Sequence, residues 1–454
     1  MKSHTNTVLL ILSIIFCITL ISCKKYLEKK SNQKLVVPET IQDLQSLLDY
    51  YFRVNRFDPS IHEASSDDYY LTTSNFNSLK ETDRNSYVWE DKNVFNAGHN
   101  DWGYSYDNIY RANLVIDNID KIQRTPNDEN EWENTKGNAY FLRGKCFLQN
   151  AIIWALAYDE NSANTDMGIP LRTDPDFNKV STRASVKQTY DQIVSDLKRA
   201  SELLPTTALH VMRPSKPAAY ALLARTYLAM RKYDSAFKYS DLCLQLKSTL
   251  LNYNGGNEVD LTKKYPFAPY NVEVLYSCRF FVTALNYASV DTILFNSYSD
   301  NDLRKTLLFK NQGSGPMVFK GSYEESGWLF GGPGVDEVYL IRSECYARLN
   351  NVPKAMNDLN TLLVNRWKEG TFTPFSASTP EEALKIILSE RRKELIFRGI
   401  RWMDIKRLNK EGANITLKRI LNGQAYILKP NDLKYALPIP EEVIKASGMA
   451  QNPR

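Results

Sequence analysis

The sequence predicts a mostly α-helical protein. Antiparallel helix pairs stack into a curved scaffold, which is interrupted by long irregular insertions and carries little β-structure. Three observations lead there. Apolar residues recur at helical spacing over much of the chain. Two segments, 216–247 and 335–366, repeat one order of small and aromatic residues. The segments 59–103 and 250–334 are instead rich in Asn, Ser, Asp, Gly and aromatics, without helical period.

Composition bounds the class. Of 454 residues, 43 % are hydrophobic and 24 % charged, so the chain can bury a sizeable core. The 57 bases and 52 acids leave a net charge of only +5. No basic stripe is present, which excludes a nucleic-acid partner. Collagen, a polytopic membrane protein and a disulfide-dense miniprotein are excluded as well.

The chain opens with Lys2 and an apolar run from Val8 to Ile21. A spanning helix needs about 20 apolar residues, so this run is short for an anchor and suits a signal peptide. It ends in Leu20-Ile21-Ser22-Cys23, which resembles the bacterial lipobox. Residues 1–22 are expected to be removed and Cys23 to carry lipid. Several acyl chains on one cysteine give a stable anchor, where a single chain is marginal. Cleavage elsewhere, or a short uncleaved anchor, is the alternative. Lys24 follows rather than Asp, which favours the outer membrane. The polar tether 24–30 would hold the body off the bilayer.

Helices follow in order. Residues 104–122 place Ile109, Ala112, Val115 and Ile119 on one face, and 134–157 form a longer apolar-faced helix. The next starts at Ser185 and stops at Pro205. In the repeats, Tyr220, Leu223, Ala224, Tyr227 and Ala236 answer Tyr339, Arg342, Ser343, Tyr346 and Ala355. This resembles the tetratricopeptide helix-turn-helix, where small residues let two helices approach. A weaker copy lies at 137–157, with Gly144 and Phe147. Short strands are expected at 273–283 and 316–320. Thr379-Pro380-Glu381-Glu382 starts a late helix, and Gly399 is its natural stop. Cys146, Cys243, Cys278 and Cys345 read as buried thiols, with a Cys243–Cys345 disulfide as the alternative. Trp132, Trp154, Trp367 and Trp402 read as helical core.

That late helix and its continuation carry a longer pattern. Glu390, Arg391, Glu394, Leu395, Phe397, Gly399, Arg401, Asp404 and Arg407 match the run E-R-x-x-E-L-x-F-E-G-x-R-x-x-D-L-x-R. The run resembles that of the SusD/RagB family of outer-membrane nutrient-uptake lipoproteins. Arg398 stands where that family usually has Glu, which puts one ion pair of the network in question. Pro438-Ile439-Pro440, Gln451-Asn452-Pro453, Tyr110-Arg111-Ala112-Asn113 and Phe141-Leu142-Arg143-Gly144 resemble further family positions. Alternating acids and bases around an aromatic face predict a partly buried ion-pair network. Arg391, Glu394, Arg401 and Asp404 are therefore expected to hold the fold. The resemblance implies one SusD-like domain over 23–454. Its part up to about 330 bears the ligand insertions, and the part from about 331 bears the motif.

Catalytic signatures are missing. His62, His99 and His210 lie far apart in no metal spacing, and no GxSxG or P-loop occurs. The acid pairs Asp67-Asp68 and Glu324-Glu325 read as solvated loop acids; adjacent strand residues point apart, so neither pair alone has glycosidase geometry, and one acid from each loop meeting in space is the alternative. Binding chemistry fits better: flat rings cover the apolar faces of sugars while amides and charges take the hydroxyls. On chemistry and loop location, Asp68, Trp89, Asn93, Tyr298, Tyr323 and Trp328 are the candidate ligand residues. The resemblance implies a non-catalytic protein without cofactor. It would sit on a SusC-like TonB-dependent barrel and deliver oligosaccharide, with peptide as the rival ligand. An envelope scaffold that binds protein in a helical groove is the competing class.

Overall fold

The computed structural model describes residues 38–311, 313 and 315–454. The signal segment 1–22, Cys23 and the tether 24–30 lie outside the described residues. The long helices are α1 (Ile41–Leu48), α2 (Asp101–Ile119), α3 (Glu129–Trp154), α4 (Val186–Leu203), α5 (Lys216–Ala229) and α6 (Tyr233–Leu246). After a long interval come α7 (Val335–Arg348), α8 (Val352–Leu363), α9 (Pro380–Glu394), α10 (Arg401–Asn409) and α11 (Glu441–Ser447). Shorter helical turns are named by residue. The fold is mostly helical, with the tetratricopeptide-like arrangement that the repeats predict.

Local chemistry sets the helix ends. The Ser185 side chain accepts from the Gln188 N–H and the Gln188 side chain answers, a capping box that starts α4. Thr379 caps α9 with Pro380 at its first position. The turns between paired helices need left-handed residues, supplied by Arg231 (φ 59°) and Asn350 (φ 60°). Asn adopts that conformation readily. Arg231 is held there in part by a 2.7 Å bond from its guanidinium to the Tyr158 carbonyl.

Consecutive helices pack from α2 through α8, and α9 closes on α7 and α8. Glycine makes the closest approach possible: a Cβ on Gly144 would stand 3.0 Å from the Leu197 side chain of α4. The scaffold core includes Ile109, Phe141, Trp154, Leu223, Leu340 and Trp402, all essentially solvent-free. Trp154 and Trp402 are core as expected. Trp132 is half-buried, and Trp367 lies beyond α8, bridged to Asp302. The four cysteines Cys146, Cys243, Cys278 and Cys345 are buried and free, and the Cys243 thiol donates to the Pro217 carbonyl.

The two insertions are not loose. Ten short strands occur among the described residues: β1 (Tyr69–Tyr70), β2 (Met167–Pro170), β3 (Arg183–Ser185), β4 (Arg279–Phe280), β5 (Ser289–Val290), β6 (Phe309–Asn311), β7 (Met317–Phe319), β8 (Leu329–Phe330), β9 (Leu417–Leu421) and β10 (Gln424–Leu428). Strand β1 of the first insertion pairs antiparallel with β5 of the second, Tyr69 against Val290. β4 pairs with β8. Around them Tyr69, Phe76, Tyr87, Phe267, Phe280, Tyr298, Phe309, Tyr323 and Phe330 form a second core, closed by Ile396, Phe397 and Leu421. Aromatic residues expected on open loops are thus largely buried, because the two insertions together are large enough to bury a core of their own. Residues Ile41–Arg454 form one compact unit.

Charge joins the two cores. Glu390 and Glu394 lie four apart on α9 and both take Arg304 of the second insertion, at 2.6 and 2.9 Å. Arg366, fully buried, bridges Glu394 and Glu273, each at 2.7 Å. Arg401 holds Asp67 through two bonds, and Arg392 holds Asp68 at 2.9 Å. Asp404 joins Arg391 and Arg407, and Arg407 continues to Glu344 of α7. Arg398 is not left unmatched: it pairs with Asp336 at the start of α7, at 2.9 Å.

Glu63 sits inside this network, where it accepts from the Gly399 N–H at 2.8 Å and from the Ser66 hydroxyl. Burial and the nearby Asp68 carboxylate push its pKa up to about 8. The folded state therefore holds this proton more tightly than the unfolded state. Its stabilising contribution is complete below the ordinary value of 4.5 and is lost as pH rises towards 8. Burial raises Glu273 to about 7 with the same sign. Denaturant melts between these pH values should show Glu63→Gln with a shallower decline in stability than wild type. An unchanged decline would contradict this account of Glu63.

Candidate ligand-binding site

Four of the six candidate ligand residues are turned inward. Trp89 is 2 % exposed, and its indole N–H donates to the Ser65 carbonyl at 3.0 Å. Tyr298 donates to the Lys393 carbonyl at 2.8 Å, while Tyr323 bonds Glu273 and Tyr253. Asp68 is 1 % exposed and is taken by Arg392. Each polar tip that would have met a sugar is spent on the fold; Tyr298 and Tyr323 lie in the second core and Trp89 in the scaffold core. These four are corrected to structural residues. Asn93 is exposed, but with φ 53° it shapes a turn; its N–H donates to Glu441 and its amide to Glu81. Trp328 alone keeps a partly open ring.

The acids are also placed otherwise than expected. Asp67 and Asp68 are ion-paired with Arg401 and Arg392 rather than solvated. Glu324 is buried beside Arg279, and only Glu325 is exposed, paired with Lys263.

Around Trp328 the structure assembles rings that composition did not single out. Phe281 lies 5.6 Å from Trp328 between centroids, and Phe57 lies 5.7 Å from it on another side. Phe57 stacks on Tyr104 at 5.2 Å, and Tyr104 on His99 at 6.2 Å. The strip Phe281–Trp328–Phe57–Tyr104–His99 is continuous and partly open to solvent along its length. Three arginines lie on it: Arg53 over Tyr104 at 4.9 Å, Arg56 over Trp328 at 4.9 Å, and Arg279 over Trp328 at 5.1 Å.

Its positioning follows from local structure. Pairing of β4 with β8 sets Phe280 inward against Leu329, and Arg279 and Phe281 flank it beside Trp328, partly buried and exposed respectively. The Arg279 N–H donates to the Asn55 carbonyl, and the Asn55 side chain donates to the Ser277 carbonyl. These bonds stitch 53–57 to the second insertion. At the other end Asn100 caps α2 through the Gly103 N–H and presents His99 and Tyr104 on the first turn. Asp101 accepts from the Ser60 and Ile61 N–H groups, and burial raises its pKa to about 6.

The strip opens into a cleft of about 190 Å³, lined by Thr82, Asp83, Asn96, His99, Tyr104 and Phe281. A wider groove of about 860 Å³ runs between α2, residues 170–181 and α11. There Trp102 is buried and the Tyr106 hydroxyl is spent on the Pro170 carbonyl. A third void, beside His62 and Lys145, holds about 20 Å³ and suits no more than water. The 190 Å³ cleft joins the open rings of the strip to polar groups at hand.

Two family models match this chain. One, for SusD-like proteins, is described as starch-binding associating with outer membrane and covers residues 25–228. The other describes the SusD family and covers 336–454. The chain belongs to the SusD/RagB family. SusD-like protein P2 of Formosa agariphila is 23 % identical, over 78 % of this chain and 79 % of its own length. Among solved structures, a SusD superfamily protein from Bacteroides thetaiotaomicron superposes with a TM-score of 0.72 at 21 % identity, over 91 % of this chain and 100 % of that one. A SusD-like carbohydrate binding protein from Bacteroides vulgatus gives 0.67 at 22 %, over 90 % and 97 %. Both share the fold described above.

In this SusD-family chain the strip and the buried rings call for opposite responses to truncation. Trp89→Ala should cost about 3–5 kcal/mol in a denaturant melt, because it empties a buried site. Trp328→Ala should cost less than about 2 kcal/mol. Equal losses would place Trp328 in the core and remove it from the site.

Proposed function

We propose that this SusD-family protein is a non-catalytic, surface-exposed lipoprotein. It is held in the outer membrane by lipid on Cys23, and it captures oligosaccharide and passes it to a SusC-like TonB-dependent barrel. The continuous open strip from Phe281 to His99 carries this reading. Consecutive rings at such spacing cover the apolar faces of successive sugars, while guanidinium and amide donors meet the hydroxyls. The strip is preformed, since its backbone is bonded across both insertions and the first turn of α2. Several weak contacts on a rigid platform give modest affinity and fast release, as import requires. The starch-binding description of the family and the carbohydrate-binding relative in Bacteroides vulgatus point the same way. Asp67, Asp68, Glu324 and Glu325 are engaged by Arg401, Arg392, Arg279 and Lys263, which argues against a free acid pair for hydrolysis.

Calorimetry against a panel of oligosaccharides and peptides tests the assignment. Glycan binding is expected without turnover, and Trp328→Ala should weaken it by at least ~10-fold with its melt little changed. A large barrel should co-purify from membranes. Binding of peptides alone would overturn the ligand, and release of shortened glycans would overturn the non-catalytic reading.

A further inference from the structure

Two of the three arginines on the strip, Arg53 and Arg56, lack the partners that most arginines have elsewhere among the described residues. Arg143, Arg225, Arg304, Arg366 and Arg391 each meet a carboxylate at 2.5 to 2.8 Å. Arg183, Arg231 and Arg419 donate to backbone carbonyls instead. Arg53 and Arg56 do neither. Among the described residues they are held only by rings: Arg53 by Tyr104, and Arg56 by Phe52, Phe57 and Trp328 at 5.3, 5.5 and 4.9 Å. The Nε of Arg56 is buried without an acceptor, and so is the Nε of Arg279.

Arg279 has one acid, Glu324, at 3.5 Å. Burial lifts Glu324 to about 7, so it offsets only part of that charge at neutral pH. Other acids nearby are committed. Asp58 takes Lys145 at 2.6 Å and Gln149 at 2.7 Å, and Asp101 takes the two backbone N–H groups. Asp83 lies along the cleft beyond Tyr104. Two guanidiniums therefore share one indole with little negative charge to compensate them. A guanidinium stacked on a ring keeps its rotamer while its in-plane N–H edges stay open, which matches the two oxygens of a carboxylate.

We infer that the captured oligosaccharide is acidic: its sugar rings stack on the strip, and the oxygens of a carboxylate or sulfate ester accept N–H bonds from Arg56 and Arg279. This rests on the glycan-capture reading above and narrows its substrate class.

The test measures binding of three probes: a galacturonic acid tetramer, a sulfated galactan oligomer and a neutral galactan tetramer. At low salt at least one acidic probe should bind ~10-fold tighter than the neutral one, and the gap should shrink as salt screens it. The two acidic probes separate carboxylate from sulfate. Arg56→Gln should bring the acidic-to-neutral affinity ratio to about one, and Arg56→Lys should restore part of it. Arg279→Gln is the second variant should Arg56→Gln fail to fold. Equal or tighter binding of the neutral probe would overturn this inference and leave glycan capture standing. Failure of every glycan to bind would overturn both.

Discussion

The buried arginine–carboxylate clamps of α9 and α10 are the constraint on which the rest of the structure depends. Two insertions far apart in sequence must come together, and neither has long strands or helices of its own. Arg304 and Arg366 fasten the second insertion to Glu390 and Glu394, while Arg392 and Arg401 fasten the first through Asp68 and Asp67. Desolvating these charges is expensive, and removing one partner strands the other at a cost of about 3–5 kcal/mol. The network fixes register where β1 and β5 exchange only a two-residue ladder.

From that constraint follows a division between rings that build and rings that face outward. Tyr298, Tyr323 and Trp89 pack beside the clamps and surrender their polar tips to Lys393, Glu273 and Ser65. Phe281 and Trp328 stand at the ends of the β4–β8 ladder and keep their rings partly open to solvent. The arginines divide likewise. Those within the clamps meet carboxylates at close range, whereas Arg53 and Arg56 on the strip are held by aromatic faces. Gly399 marks the seam between the two roles. Its φ of +71° and the 2.9 Å separation between a would-be Cβ and His62 leave no room for a side chain.

Much of the scaffold was legible in the chain. The Ser185 and Thr379 caps, the small-residue and tyrosine repeats, and the acid–base alternation of 390–407 each report local physics, and each appears where expected. The insertions were not legible in the same way. A segment rich in Tyr, Trp, Asp and Asn reads equally as a sugar platform or as a small core with polar tips tied off. What decides is pairing over more than two hundred positions, as between Tyr69 and Val290. Asp68 looked like a hydroxyl acceptor because Arg392 is nowhere near it in sequence. The Arg398–Asp336 pair was hidden for the same reason. The strip left fainter traces: Arg53, Arg56 and Phe57 close together just before the first insertion, and Arg279 and Phe281 two apart on a predicted strand.

The clamps make insertions and scaffold one cooperative body, so that the strip exists before ligand arrives. Native-state hydrogen exchange measures this most directly. The amides of Asp291 and Gly331, bonded to Asp68 and Cys278 within and between the insertions, report on the platform. Those inside α7 report on the scaffold. Both sets should open with the same free energy and the same denaturant dependence. Exchange of the insertion amides through a separate, low-energy opening while α7 stays protected would contradict this cooperativity.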